Sequence, residues 1–112
     1  MPNKHISLDR IFSALADPTR RSVLQRLSTR PAPVSDLAEP FEMTLPSFMQ
    51  HLDVLEDCGL VRSRKKGRVR TYELRLRSLR VAEKWLAKHR TVWETRLAQL
   101  DDYLITMEEQ TR

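Results

Sequence analysis

The chain has 112 residues, a formal net charge of +5 and a sequence pI of about 9.9. This length predicts a single small domain with a modest hydrophobic core. Association with a second chain would therefore add to the stability of the domain. The single cysteine excludes an intrachain disulfide and metal sites built from cysteine pairs, and two glycines are too few for a phosphate-binding glycine loop. The basic charge favours an acidic partner, most often nucleic acid or an anionic membrane surface.

The first third of the chain is predicted to form two helices and a loop. Apolar residues at helical spacing indicate a helix over residues 6–16. Asp17 followed by Pro18 is typical of an N-cap and a first helical position, so a second helix is expected to run to about Ser28. Two prolines resist helix formation, and residues 30–33 are therefore predicted to form a loop.

Two more helices are predicted in the middle of the chain. Residues 34–39 fit a short helix that Pro40 ends. Thr44 is expected to cap the next helix, over about residues 44–58, and Gly59 suits the left-handed residue that closes a helix. The inner face of this fourth helix is predicted to consist of Leu45, Phe48, Leu52 and Leu55.

The rest of the chain is predicted to be a hairpin followed by a long helix. Residues 60–66 and 68–74 contain strand-forming side chains, and Lys65-Lys66-Gly67-Arg68 is predicted as the turn between them. From Ser78 onward, apolar residues recur every three or four positions. This spacing predicts a helix over about residues 78–108, about 45 Å long.

The fourth helix and the hairpin together indicate DNA binding. The N-terminal part of that helix carries uncharged side chains that can recognise base edges in the major groove, with Gln50 as the best candidate for a bidentate contact to adenine. The arginines and lysines of the hairpin would supply affinity for phosphate rather than sequence information. The predicted DNA-binding residues are Thr44, Ser47, Gln50, His51, Arg62, Arg64, Lys65, Lys66, Arg68 and Arg70.

This order of elements is that of a winged helix-turn-helix, mainly α with a small β-hairpin. It predicts one domain over residues 1–112, with a DNA-binding core at about 6–76, a wing at 60–74 and a C-terminal dimerisation helix at about 78–108. The stretches LADPTRRSVLQRL, VSDLAEPFEMTLPSFMQHLDVLEDCGLV and RSRKKGRVRTYEL resemble the ArsR/SmtB family of bacterial winged-helix transcriptional repressors. The resemblance, over roughly residues 8–76, implies a homodimer that binds an operator and leaves it when an effector arrives.

The chain departs from the pattern of that family in two places. Members commonly have Ser or Thr followed by Lys or Arg before the histidine, whereas Phe48-Met49-Gln50 stands here, which predicts an unusual sequence preference. Many members sense metals through a cysteine pair before the recognition helix, or through Asp and His pairs on the last helix. Residues 34–37 hold no cysteine, and the last helix offers a single histidine, His89, beside the acidic residues Glu83, Glu94, Asp101 and Asp102. A divalent site usually needs three or four converging ligands, so we predict no metal and no other cofactor. Cys58 is predicted to be a small buried residue rather than a redox switch.

The long last helix has an apolar face that needs a partner surface. Pairing with its copy in a second chain is favoured, with the first helix (Ile6, Ile11, Phe12) joining the seam, and a monomer with a lid helix is the alternative. An effector site is hypothesised between the last helix and the first, near Trp85 or Trp93. The predicted dimer-interface residues are Ile11, Phe12, Leu79, Trp85, Leu86, His89, Trp93, Leu97, Leu100 and Leu104.

The function predicted from these features is that of a sequence-specific, DNA-binding transcriptional regulator, a homodimeric repressor on a near-palindromic, double-stranded operator. We expect it in the cytoplasm, at the nucleoid, because no apolar stretch reaches the roughly 18 residues that span a bilayer. The alternative is a winged-helix module that binds protein and not DNA. An enzyme is not expected, since the three scattered histidines offer no paired acid and base.

Overall fold

The computed structural model describes residues 7–111, which form five helices and three short strands. The order of helices, hairpin and final long helix confirms the predicted fold class, and Ile6 lies outside the described residues. The helices are α1 (Leu8–Leu15), α2 (Pro18–Leu27), α3 (Val34–Ala38), α4 (Leu45–Asp57) and α5 (Leu76–Gln110). The strands are β1 (Ala32–Pro33), β2 (Val61–Lys66) and β3 (Val69–Leu74).

The starts of α2 and α4 follow from the same local signal. Asp17 Oδ2 accepts a hydrogen bond from Arg20 N at 3.0 Å, and Thr44 Oγ1 accepts one from Ser47 N at 3.3 Å. A proline lies in the first turn of each helix, where its missing N–H is not needed. Both predicted N-caps are confirmed.

Gly59 ends α4 in the left-handed conformation, as predicted. Its φ is +79°, and the next residue, Leu60, donates its N–H to Leu55 O at 3.0 Å, a bond typical of a glycine-closed helix. A Cβ atom at this position would lie 2.6 Å from Ser78 Oγ. Both the backbone and this close neighbour therefore require glycine.

The sheet has three antiparallel strands in the order β1-β3-β2, one more than predicted. Ala32 pairs with Tyr72 and Pro33 with Thr71, so part of the predicted loop at residues 30–33 is an edge strand. A strand of two residues is too short to show alternation of apolar and polar side chains, so the sequence pattern could not reveal it. Proline is tolerated on an edge strand because its missing N–H removes no hydrogen bond between strands.

The turn of the hairpin is shorter than predicted. Lys66 pairs with Val69, so Lys65 and Lys66 belong to β2 and the turn is Gly67-Arg68 alone. Gly67 has φ +63°, whereas no residue other than glycine among those described has a positive φ. A positive φ at the first central residue only is the pattern of a type II′ turn, whose twist suits a hairpin.

The apolar core lies in the N-terminal unit, Met1–Ala82. On α4, Phe48, Leu52 and Leu55 are fully buried as predicted, whereas Leu45 is 57% exposed. The prediction that Leu45 faces the core is therefore wrong. A helical Cα–Cβ bond tilts toward the N-terminus, so the side chain of the first helical residue points past the end of the helix.

The structure also corrects one predicted dimer-interface residue on α1. Ile11 is 0% exposed and belongs to the core of its own chain, so it has no surface left for a second chain. Phe12 and Leu79, also predicted at the interface, are half-buried and pack against the same core. An apolar residue at helical spacing predicts burial, but the spacing does not say whether the covering surface is in the same chain.

Helix α5 has 35 residues and is about 52 Å long, longer than the predicted helix. The chain divides within it into two units, Met1–Ala82 and Glu83–Arg112. None of the described residues from 83 onward is buried. The assignment of a DNA-binding core and a dimerisation helix stays a prediction. No helix within residues 7–111 combines the length and apolarity needed to cross a membrane.

Candidate nucleic-acid interface

The N-terminal half of α4 presents an uncharged polar surface to solvent. Thr44, Ser47 and Gln50 are all exposed, and Gln50 follows Ser47 by nearly one turn on the same side of the helix. The Thr44 hydroxyl donates to Ser47 Oγ at 3.0 Å, which fixes the two hydroxyl groups at the helix end. Pro46 has no N–H and the Ser47 N–H donates to Thr44, so the attraction of this helix end for phosphate comes mainly from the helix dipole. The same end can therefore lie against both a base edge and the DNA backbone.

His51 lies on the same helix but is partly enclosed, with its side chain 24% exposed. Its Nδ1 is 3.0 Å from Arg20 Nη1 and 3.7 Å from Asp17 Oδ2. The backbone N–H of Arg20 is the main cause that holds the pKa of the Asp17 carboxyl below its usual value, and the positive charge of the Arg20 side chain acts in the same direction. The residues that begin α2 therefore also hold a side chain of α4.

The wing, residues 61–74, distributes its cations over two faces. Directly opposed residues of antiparallel strands point to the same side of the sheet. The register pairs Arg62 with Glu73 and Lys65 with Arg70, so these two pairs lie on opposite faces. One face carries Arg62, Arg64 and Lys66, the other carries Lys65 and Arg70, and Arg68 lies in the turn.

Two of the wing arginines are engaged within the protein. Arg62 pairs with Glu73, with Nε 2.6 Å from Oε1, and this hydrogen bond lowers the pKa of the Glu73 carboxyl. Arg70 Nη1 donates to Ser63 Oγ at 2.8 Å. Ser63 in turn donates from Oγ and from its backbone N to Glu56 Oε2, at 2.7 and 2.8 Å. Because Glu56 belongs to α4, these bonds fix the wing to the helix that carries Ser47 and Gln50.

The remaining four predicted cations lie toward the tip of the wing. Arg64, Lys65, Lys66 and Arg68 are exposed, and within the described part of the chain none of them forms an ion pair. Their charge is therefore available to an external anion such as a DNA phosphate.

Three residues that support this surface were not predicted from the sequence: Arg20, Glu56 and Ser63. Arg20 contacts a residue 31 positions away in sequence, and Glu56 contacts one 7 positions away in a different element. Each pair joins two different elements, so no periodic pattern within one helix or strand marks it. The only local hint is Asp17, whose N-cap bond to Arg20 fixes the backbone of that arginine.

Cys58 is buried, 5% exposed, as predicted, and its Sγ donates to Leu55 O at 3.4 Å. Burial raises the pKa of the thiol, which disfavours the reactive thiolate. Within residues 7–111, no three His, Cys, Asp or Glu side chains lie close enough together to hold a metal ion.

The predicted interface residues on α5 include an aromatic cluster, Trp85, His89 and Trp93. The rings of Trp85 and His89 stack with centroids 4.1 Å apart, and the centroid of Trp93 lies 6.4 Å from that of Trp85. His89 Nδ1 lies 2.9 Å from Trp85 O, so the imidazole is oriented by its own helix. The exposed predicted residues in this part of α5 are Leu86, Trp93, Leu97, Leu100 and Leu104. The effector site stays a prediction.

Comparison with protein families and curated proteins places this geometry in a known group. A family model described as a helix-turn-helix domain matches residues 15–64. The chain is 30% identical over 79 residues to the transcriptional repressor SdpR of Bacillus subtilis, covering 70% of this chain and 88% of that protein. It is 43% identical over 68 residues to the HTH-type transcriptional regulator Rv2034 of Mycobacterium tuberculosis, covering 61% of this chain and 64% of that one.

Solved structures show the same relationship. The crystal structure of an ArsR family transcriptional regulator superimposes with a TM-score of 0.75 at 55% identity, covering 78% of this chain and 96% of that one. An ArsR-like transcriptional regulator from Rhodococcus sp. RHA1 gives a TM-score of 0.69 at 32% identity, with 83% and 88% covered. The chain therefore belongs to the ArsR family of winged helix-turn-helix transcriptional regulators.

Proposed function

We propose that this regulator is a homodimeric repressor that binds a near-palindromic DNA operator through α4 and the wing. The observation that carries the proposal is the exposed, uncharged N-terminal half of α4, fixed by Glu56 and Ser63 to a wing with four exposed cations. Ser47 and Gln50 are suited to base edges, and the cations are suited to phosphate. A relative of the chain, SdpR, is named a transcriptional repressor. Repression would follow from occupancy, with the bound dimer blocking RNA polymerase.

The support for a dimer comes from the spacing of exposed apolar residues on α5. Leu86, Trp93, Leu97, Leu100, Leu104 and Met107 are each 45–61% exposed. Their separations of seven, four, three, four and three follow a heptad, the spacing of a helix that packs along another helix. A second copy of the chain carries the same stripe, so the two stripes can cover each other.

The first test is a selection of binding sites from random duplex DNA at one stated, near-physiological salt concentration. We expect enrichment of an inverted repeat whose half-sites are about 10 to 11 base pairs apart. No enrichment, with binding that disappears as salt rises, would contradict the proposal. In that case a winged-helix module that binds protein would become the better explanation.

The second test separates the exposed wing cations from the paired one. A phosphate contact contributes about 0.9 to the slope of log K against log salt, and a dimer carries two copies of Arg64, so Arg64→Ala should reduce that slope by about 2. The control is Arg62→Ala combined with Glu73→Ala, which removes a cation together with its own partner and should leave the slope unchanged. Equal slopes for wild type and Arg64→Ala would show that this arginine contacts no phosphate.

A further inference from the structure

The side chain of Arg20 determines which nitrogen of His51 is available to a ligand. We propose that Arg20 is a positioning residue that holds His51 as the tautomer with its proton on Nε2, so that this N–H donates to a hydrogen-bond acceptor on DNA. The role in DNA binding rests on the proposed function, whereas the tautomer can be measured without DNA. Neither the helical pattern nor the family resemblance assigned a role to this arginine.

The tautomer follows from which groups can donate. A guanidinium has five N–H donors and no acceptor, so the contact of 3.0 Å between Arg20 Nη1 and His51 Nδ1 requires the histidine nitrogen to accept. A neutral imidazole carries one proton, which must then be on Nε2. Asp17 Oδ2, the competing acceptor for a proton on Nδ1, lies farther away, at 3.7 Å.

Three contacts fix the position of the Arg20 guanidinium. Besides Nη1 at His51, its Nε donates to Ala14 O at 2.8 Å and its Nη2 donates to Ser13 O at 3.1 Å. Both carbonyls belong to the last turn of α1, where the regular helical hydrogen bonds end, and Ser13 O also accepts the backbone N–H of Ala16 at 3.2 Å. The guanidinium fork is rigid and planar, so the bonds to α1 direct the third donor at His51.

The exposed part of His51 adjoins the polar surface of α4. His51 follows Ser47 by four residues, which puts both side chains on one side of the helix. Its Nδ1 is covered by Arg20 and Asp17, so the Nε2 edge is the one left for a ligand. An N–H there selects acceptors, which on DNA are phosphate oxygens and the base atoms guanine N7 and O6, adenine N7 and thymine O4.

The tautomer can be measured in the full chain by long-range ¹H–¹⁵N correlation spectra of the imidazole groups. We expect wild-type His51 to have its proton on Nε2. In Arg20→Met, Nδ1 faces only the Asp17 carboxylate, so the proton should move to Nδ1. The control, Arg21→Met, removes a neighbouring arginine that donates to Leu15 O at 2.8 Å, and it should keep the wild-type tautomer. A proton on Nδ1 in the wild type would overturn the proposal without the need for any variant.

The consequence for DNA is measured on a duplex carrying the sequence enriched in the selection. Each substitution removes one hydrogen bond in each half-site of the dimer, which predicts at least about tenfold weaker binding for Arg20→Met and for His51→Ala. Arg20→Met should add nothing in a His51→Ala background, and Arg21→Met should change affinity by about twofold at most. Equal losses in the two arginine variants, or a full loss from Arg20→Met in the His51→Ala background, would overturn the positioning role.

The same binding data distinguish the two kinds of acceptor. A loss that is uniform across variant sequences identifies a phosphate oxygen, whereas a loss confined to one base pair identifies a base edge. If the selection enriches no sequence, the proposed function fails. The tautomer spectra still decide whether Arg20 positions His51.

Discussion

The two units of the chain differ in what covers their apolar side chains. Fifteen apolar residues are buried among the described residues up to Ala82, whereas none of the described residues from 83 onward is buried. Both units nevertheless contain helices with apolar residues at regular spacing, such as Leu52 and Leu55 on α4 and Leu97 and Leu104 on α5. The spacing predicts that a face will be covered, but only the structure shows that one face is covered within the chain and the other is not.

The largest expected effect comes from placing charge on the exposed stripe of α5. Leu97→Glu combined with Leu104→Glu would put four carboxylates into the proposed seam of a dimer. Each carboxylate buried without a partner costs several kcal/mol, so dimerisation should weaken by more than about 5 kcal/mol. Sedimentation equilibrium should then give the mass of one chain instead of two.

The matched control places the same charges on the opposite side of that helix. Thr95 and Gln99 are exposed and lie at the outer positions of the heptad that Leu97 and Leu104 define. Thr95→Glu combined with Gln99→Glu should therefore remain dimeric. A dimer that survives both double substitutions would show that the second copy covers some other surface.

In the N-terminal unit the largest effect is expected from Leu52→Ala. Leu52 is 0% exposed, and truncating a leucine at such a position costs about 3 kcal/mol. Leu45→Ala makes the same change on the same helix at a side chain that is 57% exposed, so its cost should stay below about 1 kcal/mol. Urea denaturation at one fixed protein concentration measures both, and similar losses would contradict the assignment of these two faces.

These residues also show what the sequence could predict and why. The caps at Asp17, Thr44 and Gly59 were predictable because a cap depends on residues within one turn of it. Candidate positions for DNA contacts were found in the same way, from polar residues near a predicted helix start. The remaining outcomes depend on what packs against a side chain. Leu45 and Ile11 were assigned to the wrong surroundings, and the contact of Arg20 with His51 was not predicted. Such packing depends on contacts between residues distant in sequence, which no local pattern encodes.

An intermediate effect is expected from the two glycines with positive φ. Gly59→Ala would place a methyl group 2.6 Å from Ser78 Oγ, and Ser78 is buried with its hydroxyl donating to Cys58 O at 2.8 Å. Because the hydroxyl cannot move away without losing that bond, we expect a loss of about 2 kcal/mol in the free energy of unfolding. Gly67→Ala meets no atom within 4 Å and should lose only the cost of its φ, about 1 kcal/mol.

A double-mutant cycle identifies the contact responsible for that difference. In a Ser78→Ala background the oxygen atom is absent, so Gly59→Ala should become about as costly as Gly67→Ala. An unchanged cost in that background would mean that the backbone conformation alone accounts for the loss, and Ser78 would have no part in it.

The smallest expected effect concerns the charge of Asp17 at the start of α2. The hydrogen bond from the Arg20 N–H is the largest of the causes that lower the pKa of this carboxyl in the folded chain. A lowered pKa gives stability that is fully present above the unfolded value of about 3.9 and is lost as pH falls through the folded value. Asp17→Asn keeps an oxygen for the cap and removes the charge, so we expect it to cost about 0.5 kcal/mol at pH 5.

Urea denaturation of wild type and Asp17→Asn from about pH 5 downward tests the sign of this effect, because the difference between them should shrink below about pH 4. Thr44→Ala supplies the contrast: it removes the equivalent cap of α4, which has no proton to gain in this range. Its cost of about 1 kcal/mol should therefore not change with pH. A difference in unfolding free energy between wild type and Asp17→Asn that persists at low pH would contradict this explanation. The hydrogen bond from Arg20 N to the side-chain oxygen, and not the carboxylate charge, would then stabilise the cap.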